Sequence, residues 1–389
     1  MKKILILSLF LCSCVLFSQN LTKEQLKQDL DTFKIKLPLK HKNLFAKISK
    51  EDFEKNIGKL EKKLGNLSKE EFEIELAKII KKVGDEHTIV VPNFTNLFPL
   101  EVAFFKEGIF YTTKNSSGLT YGKVKKIGKN STNSVLRKFN TVIQNENEYY
   151  FQSMFQSFVK IPNYLKGLNI NEDLTKLNLE FGNQKIMLNS IPRKEYVPIR
   201  NTNLLRYSKN NNYWFDYQKD KKLLYINYSK CNEIKDYPFS QFSDDVFKVI
   251  NTQEISKIVI DLRDNGGGNS AIIKPLLEKL KTSKLNNENS LYVLIGKITF
   301  SSALMNAITL KKDFKSTLVG EPTSGNINHY GEVKGIQLPN TKAIIQFSTK
   351  YWENWKGKEG PLKPDVFIEY SFENYKNNID EALEYVYRK

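Results

Sequence analysis

Cysteine is nearly absent from this chain, with three in 389 residues. Cys12 and Cys14 fall within residues 1–18 and only Cys231 lies beyond them, so a mature domain has no internal disulfide to constrain it. Cys231 has no Cys-x-x-Cys spacing and reads as a structural thiol. Histidine is equally scarce: His41, His87 and His329 are the whole supply. No His, Cys, Asp and Glu group has metal-ligand spacing, and no metal is expected. Phosphate loops are missing too. The glycine run at Gly266–Gly268 has neither GxGxxG spacing nor a Gly-Lys-Ser/Thr ending, and no cofactor is expected. After the N-terminus no apolar run approaches the roughly 20 residues of a membrane helix. Acidic residues are also in short supply, 43 against 60 Lys and Arg, a net charge of +17. The lysines are spread along the chain rather than gathered with aromatics into one patch. That distribution argues against a nucleic-acid partner and is compatible with peripheral attraction to anionic surfaces.

Residues 1–18 read as a signal peptide. Lys2 and Lys3 form the basic start, Ile4–Phe17 the apolar run, and Ser18 the small residue before a cleavage ahead of Gln19. Export to the periplasm or cell surface is expected. Leu11-Cys12-Ser13-Cys14 also loosely matches a lipoprotein box, which would anchor the chain by lipid at Cys14.

Three regions follow. Residues 19–92 read as an N-terminal helical region. Thr22-Lys23-Glu24-Gln25 and Ser68-Lys69-Glu70-Glu71 both fit capping boxes. Phe53, Ile57, Leu60 and Leu64, then Phe72, Leu76, Ile79 and Ile80, recur at helical spacing and predict packed helix faces. The second helix stops at Gly84, and Asp85-Glu86-His87-Thr88 forms a loop before the strand Ile89–Val91. Residues 97–195 read as β-rich, with strands at Val102–Phe105, Ile109–Thr112 and Lys123–Ile127 and a short helix at Ser134–Phe139. Gly122–Leu136 resembles a PDZ-type module, which offers a groove to an extended chain end. Residues 205–389 alternate strands (Leu223–Tyr228, Ile258–Leu262, Leu291–Ile295, Thr317–Val319) with helices (Ala271–Leu280, Ser302–Lys311), closing on Ile379–Val386. Pro275 forces the first of those helices to start late or kink. Such alternation predicts an α/β core with a mixed, largely parallel sheet and reactive groups at the carboxyl ends of the strands.

Two strand exits carry the chemistry. Ile258–Asn269, IVIDLRDNGGGN, runs from a buried strand into three glycines. These can adopt angles closed to other residues and bring their N–H groups close to a developing negative charge. Leu291–Ala303, LYVLIGKITFSSA, leads a second strand into a helix through Ser301 and Ser302. A helix start offers unpaired N–H groups and a positive dipole end. Ser301 there reads as a nucleophile, with the amide of Ser302 and one of Gly266–Gly268 as oxyanion donors. The alternative is that Ser301 or Ser302 merely caps the helix. A serine nucleophile needs a base. His41, between Lys40 and Lys42, reads as a solvated or packing residue. His87 and His329 both remain open as the base.

On these residues the chain resembles the C-terminal processing peptidases, or tail-specific proteases, and their tricorn-core relatives. Asp85-Glu86-His87-Thr88, Asp261–Gly268, Thr299–Ala303, Gly320–Gly325 and Pro364-Asp365-Val366 occur in the family's order over about 280 residues. The resemblance implies a ClpP/crotonase-like core, with Ser301 as nucleophile and Gly267 and Ser302 as the oxyanion hole. Asn326 stands where the processing-peptidase branch has its lysine base, and an asparagine cannot take a proton. The tricorn-like branch instead takes its base from the early loop, which maps onto His87. Its acidic member maps onto Glu359, one residue nearer Pro364 than the family spacing, with Glu353 as a second candidate. Leu304 replaces a glutamate common in the family. The resemblance thus implies an exported serine peptidase acting on extended or unfolded polypeptides. Two further readings share the scaffold: a small-molecule ester or amide hydrolase, and a non-catalytic protein that binds an apolar ligand or peptide, as related retinoid-binding proteins do.

Overall fold

The computed structural model describes residues 21–389 apart from residues 116, 117, 145, 146 and 183. The signal-peptide reading, with Cys14, lies outside the described residues. Among those residues no helix is long and apolar enough to cross a membrane.

The N-terminal region is helical: α1 (Lys23–Lys40), α2 (Lys50–Glu61) and α3 (Lys69–Val83). Both capping boxes form. Thr22 and Ser68 accept from the amides of Gln25 and Glu71, whose side chains reach back to the cap amides. Gly84 ends α3 at φ 74°, a left-handed stop that suits glycine. Phe72, Leu76, Ile79 and Ile80 are buried as their spacing predicts. Full burial of such side chains is worth about 1.5–3 kcal/mol each. They share one hydrophobic core with the middle region and with a hairpin from far along the chain.

The strand β1 (Ile89–Val91) follows α3, and β2 (Asn96–Leu97) comes next. The middle region then builds an antiparallel sheet from β3 (Glu101–Phe105), β4 (Gly108–Asn115), β5 (Gly118–Ile127) and the short β6 (Asn130–Ser131). Three helices interrupt it: α4 (Thr132–Phe139), α5 (Glu148–Phe158) and α6 (Pro162–Gly167). The sheet resumes with β7 (Lys176–Phe181) and β8 (Gln184–Asn189), and β9 (Ile191–Pro192) pairs with β2. Its order is β3-β4-β5-β7-β8.

The C-terminal sheet has the order β10-β11-β12-β13-β14-β17. Its strands are β10 (Tyr213–Gln218), β11 (Leu223–Tyr228), β12 (Lys257–Asp261), β13 (Leu291–Ile295), β14 (Thr317–Gly320) and, after the hairpin of β15 (His329–Gln337) and β16 (Ile344–Trp352), β17 (Val366–Phe367). The β10–β11 pair is antiparallel and the pairs from β11 to β17 are parallel. Together with the antiparallel β1-β16-β15 sheet and the middle sheet, the architecture is α/β with mixed sheets. The expectation of a largely parallel sheet therefore describes this one sheet and not the chain. One face is covered by α7 (Phe239–Thr252), α8 (Lys274–Lys281) and α9 (Ser302–Lys312), and the other by α11 (Glu381–Tyr387), which follows the short α10 (Phe372–Lys376). Pro275 sits in the first turn of α8, preceded by a 3-10 turn, so that helix starts late.

Candidate active site

The glycine turn leaves β12 at Asp261 and is fixed by two buried groups. Arg263 is fully buried. It pairs with Asp261 through Nη2 at 2.6 Å and with Asp380 through Nη1 at 2.7 Å, tying the turn to α11. Asn265 is also buried. Its Nδ2 donates to the Tyr228 carbonyl at 2.8 Å, its Oδ1 accepts the Gly267 amide at 2.9 Å, and its carbonyl accepts the Phe300 amide at 3.1 Å. Gly267 and Gly268 have φ of 107° and 136°. A Cβ on Gly267 would lie 2.9 Å from Ser301 Cβ and 3.1 Å from the Ser302 nitrogen, so only glycine lets the two loops meet. A Cβ on Gly268 would strike the Cys231 carbonyl at 2.3 Å. Cys231 is buried behind the turn, and burial pushes its thiol pKa up.

Ser301 reaches this turn from β13. Thr299 closes the intervening loop, donating its hydroxyl to the Leu262 carbonyl at 2.8 Å and accepting the Gly296 amide at 3.0 Å. Ser301 then adopts φ 51° and ψ −124°, a strained geometry for a residue with a Cβ, and its hydroxyl caps nothing. Ser302 Oγ donates instead to the Gly268 carbonyl at 2.7 Å. Capping thus explains neither serine. The Ser302 amide heads α9 and, like those of Gly266 and Gly268, donates to no group among the described residues. The Gly267 amide is engaged by Asn265, so in this conformation the turn presents Gly268 or Gly266 as its unspent donors.

His87 arrives from the opposite side. Asp85 shapes its loop. The Asp85 carboxylate accepts from His41 Nε2 at 2.9 Å, from the His87 amide at 2.9 Å and from the Thr88 hydroxyl. Burial pushes the Asp85 pKa up, yet these donors outweigh it and hold it at about 2. His41 Nδ1 accepts the Asn43 amide at 3.0 Å, so the neutral ring carries its proton on Nε2, toward Asp85. The solvated reading of His41 is therefore corrected: it is buried at the end of α1 and holds the loop two residues before His87.

The His87 ring stacks on Phe300, centroids 4.4 Å apart, and on His329 at 5.3 Å. Neither ring nitrogen has a hydrogen-bond partner among the described residues. Burial, reinforced by His329, drives its pKa down to about 4. His329 opens β15 and gives Nδ1–H to the Asn326 carbonyl at 2.8 Å, which leaves Nε2 with its lone pair. Burial lowers its pKa as well. Asn326 is itself positioned by Glu86, whose Oε2 accepts its amide at 3.0 Å.

The structure thus brings Ser301, Ser302, Gly267, His87 and His329 around Phe300 and the glycine turn. It does not bring Glu359 into that group. Glu359 is exposed on the loop before Gly360, and no hydrogen bond or ion pair joins it to either histidine among the described residues; Glu353 is exposed too. Leu304 is buried in α9, with its Cδ2 3.0 Å from where a Gly325 Cβ would stand, so an apolar contact occupies the family's glutamate position. Sequence reasoning missed the Asp85–His41 support, because 44 residues separate the partners and neither lies in a recognisable spacing.

No family model matches the chain, and no curated protein matches it in sequence. Solved structures do. A mutant form of CPAF superposes with a TM-score of 0.66 at 11% identity, covering 94% of this chain and 96% of its own. Mature CPAF gives 0.63 at 13% identity with the same coverage. The tricorn protease covers 94% of this chain and 36% of its own at 14% identity, with a TM-score of 0.48. At such identities the likeness is one of fold and does not separate branches. The two CPAF superpositions show that this chain shares the fold of CPAF.

Proposed function

We propose that the protein is a serine peptidase of extended or unfolded polypeptides, exported and mature from Gln19, with Ser301 as nucleophile. The observation that carries this reading is the Ser301 backbone. A strained serine at a helix start, against a turn that tolerates only glycine, has no structural purpose that the packing requires. Ser301 Oγ attacks the scissile carbonyl. His87 takes the proton and returns it to the leaving amine, with the oxyanion held by the Ser302 amide and one amide of Gly266–Gly268.

His87 is suited to this by being neutral at ordinary pH and by lying on Phe300, next to the nucleophile. It makes no hydrogen bond to Ser301 here, and such bonds often form only with substrate in place. His329, with Nε2 unprotonated, is the second candidate base. Glu359 takes the acidic role if its loop closes over the histidines. In the present conformation the imidazole loop is held by Asp85 through the His87 amide instead. The middle sheet with α4 supplies a PDZ-like platform for the substrate chain.

A fluorophosphonate probe tests the assignment. The expected result is one covalent adduct on the peptide containing Ser301, lost in Ser301→Ala and strongly slowed in His87→Gln. Labelling unaffected by His87→Gln but slowed by His329→Gln would transfer the base to His329. Adducts elsewhere, or none, would overturn the nucleophile.

A further inference from the structure

A cavity of about 300 Å³ lies between the ends of β12 and β13, strand β3 and the segment 198–207. Its size is at the lower end of small-ligand sites. Five cations line it: Lys160, Arg200, Arg206, Arg263 and Lys297. Three have carboxylate partners. Lys160 pairs with Glu101 at 2.9 Å, Lys297 with Glu321 at 2.9 Å, and Arg263 with Asp261 and Asp380. Arg200 and Arg206 have no carboxylate within ion-pair distance among the described residues, although Asp264, Asp380 and Glu321 attract Arg206 from farther away.

Arg206 is the unusual member. Its Nε is buried without a hydrogen-bond acceptor among the described residues. The side chain is held by rings instead, its guanidinium carbon 4.7 Å from the Tyr207 centroid and 5.9 Å from that of Tyr370. Arg200, exposed at the rim, lies 5.1 Å from the same Tyr207 ring. Tyr207 is fixed in turn, donating its hydroxyl to Asp264 at 3.3 Å. A buried donor left unsatisfied costs stability, and an arginine fork held in a cavity matches a carboxylate in geometry. Phe104, Ile199 and Ile298 give the remaining wall an apolar character.

We propose that this cavity binds a carboxylate-bearing ligand with a small apolar body, gripped by Arg206 and met at the rim by Arg200. The inference does not rest on the peptidase reading. The wall formed by Gly296–Ile298 runs directly into Thr299, Phe300 and Ser301, so an occupant would also touch the loop that carries the nucleophile.

The test is titration calorimetry of the mature chain with benzoate and with benzamide, its uncharged counterpart. An N-acetylated Phe-Ala dipeptide is added with its end free or amidated, since the carboxylate can come from a free acid or from a chain end. The expected result is saturable binding of a carboxylate form, weaker by about tenfold or more for its uncharged counterpart and in Arg206→Gln. Tighter binding of benzoate assigns the source to free acids, and tighter binding of the free-ended dipeptide to chain ends. Arg200→Gln should weaken binding less. It carries the test if circular dichroism shows Arg206→Gln misfolded. Absence of saturable carboxylate binding overturns the proposal, as does equal binding of the uncharged forms or full affinity in a folded Arg206→Gln.

Discussion

Replacing Ser301 with glycine should make the protein more stable while removing its nucleophile. Ser301 sits at φ 51° and ψ −124°, where a Cβ is strained by about 1–3 kcal/mol. Ser301→Gly removes that strain. It also frees the unfolded chain, which offsets roughly 0.5–1 kcal/mol. The net expectation is a gain of about 1 kcal/mol over wild type. Ser301→Ala keeps the Cβ and therefore the strain. The Ser301 hydroxyl caps no amide, so its removal should leave stability within about 0.5 kcal/mol of wild type. Calorimetric scans of the three proteins make the comparison, with a rise of about 2 °C in Tm for Ser301→Gly alone. The comparison within one position cancels most effects of surrounding structure. If Ser301→Gly is no more stable than Ser301→Ala, the backbone stores no strain at the nucleophile and the argument for its catalytic purpose fails.

Four other outcomes follow from three named groups. His87 has its pKa pushed down to about 4 from 6.5, so the acid limb of kcat/KM should fall near pH 4 rather than near 6.5; a limb at the ordinary histidine value would contradict the buried ring. Because the folded pKa is the lower one, His87 contributes stability in full above pH 6.5 and loses it, up to about 3 kcal/mol, as pH falls toward 4, a slope that His87→Gln should lack in urea unfolding. Glu73 is buried in α3 with its pKa raised to about 8, so it holds its proton in the folded state, and its stabilising share, present below pH 4.5, disappears as pH rises through 8. Glu73→Met should therefore gain on wild type with rising pH, by up to about 3 kcal/mol at pH 7, and a difference that does not change with pH would refute this. Gly267→Ala forces a Cβ within 2.9 Å of Ser301 Cβ at φ 107°, and should cost about 100-fold in kcat/KM and about 2 kcal/mol in stability, measured by peptide turnover and thermal unfolding.

Legibility in the sequence followed the range of the interactions. Thr22 and Ser68 announced their helices because a capping box is complete within four residues. The strands Leu223–Tyr228 and Leu291–Ile295 were readable because both are apolar apart from Asn227, as strands covered on both faces tend to be. The long hairpin of β15 and β16 was not readable. Charges at Glu332, Lys334 and Lys350 interrupt its apolar pattern, and its register depends on pairing with β1, some 250 residues earlier. Helix α5 hides in a run of aromatics, and its start depends on Asn147 accepting the Tyr150 amide. The site divided in the same way. Ser301 and the glycines were marked by local motif, and His87 by its loop. The meeting of His87 with His329 and the support from His41 are products of tertiary packing, and nothing in the spacing of three histidines encodes them.

The most direct test of the account is mass spectrometry of a mixed peptide library and unfolded casein after incubation with wild type and with Ser301→Ala. The account predicts new fragments from wild type alone, with Ser301→Ala folded and silent. Fragments from both proteins, or from neither while both are folded, would contradict Ser301 as the nucleophile of a peptidase.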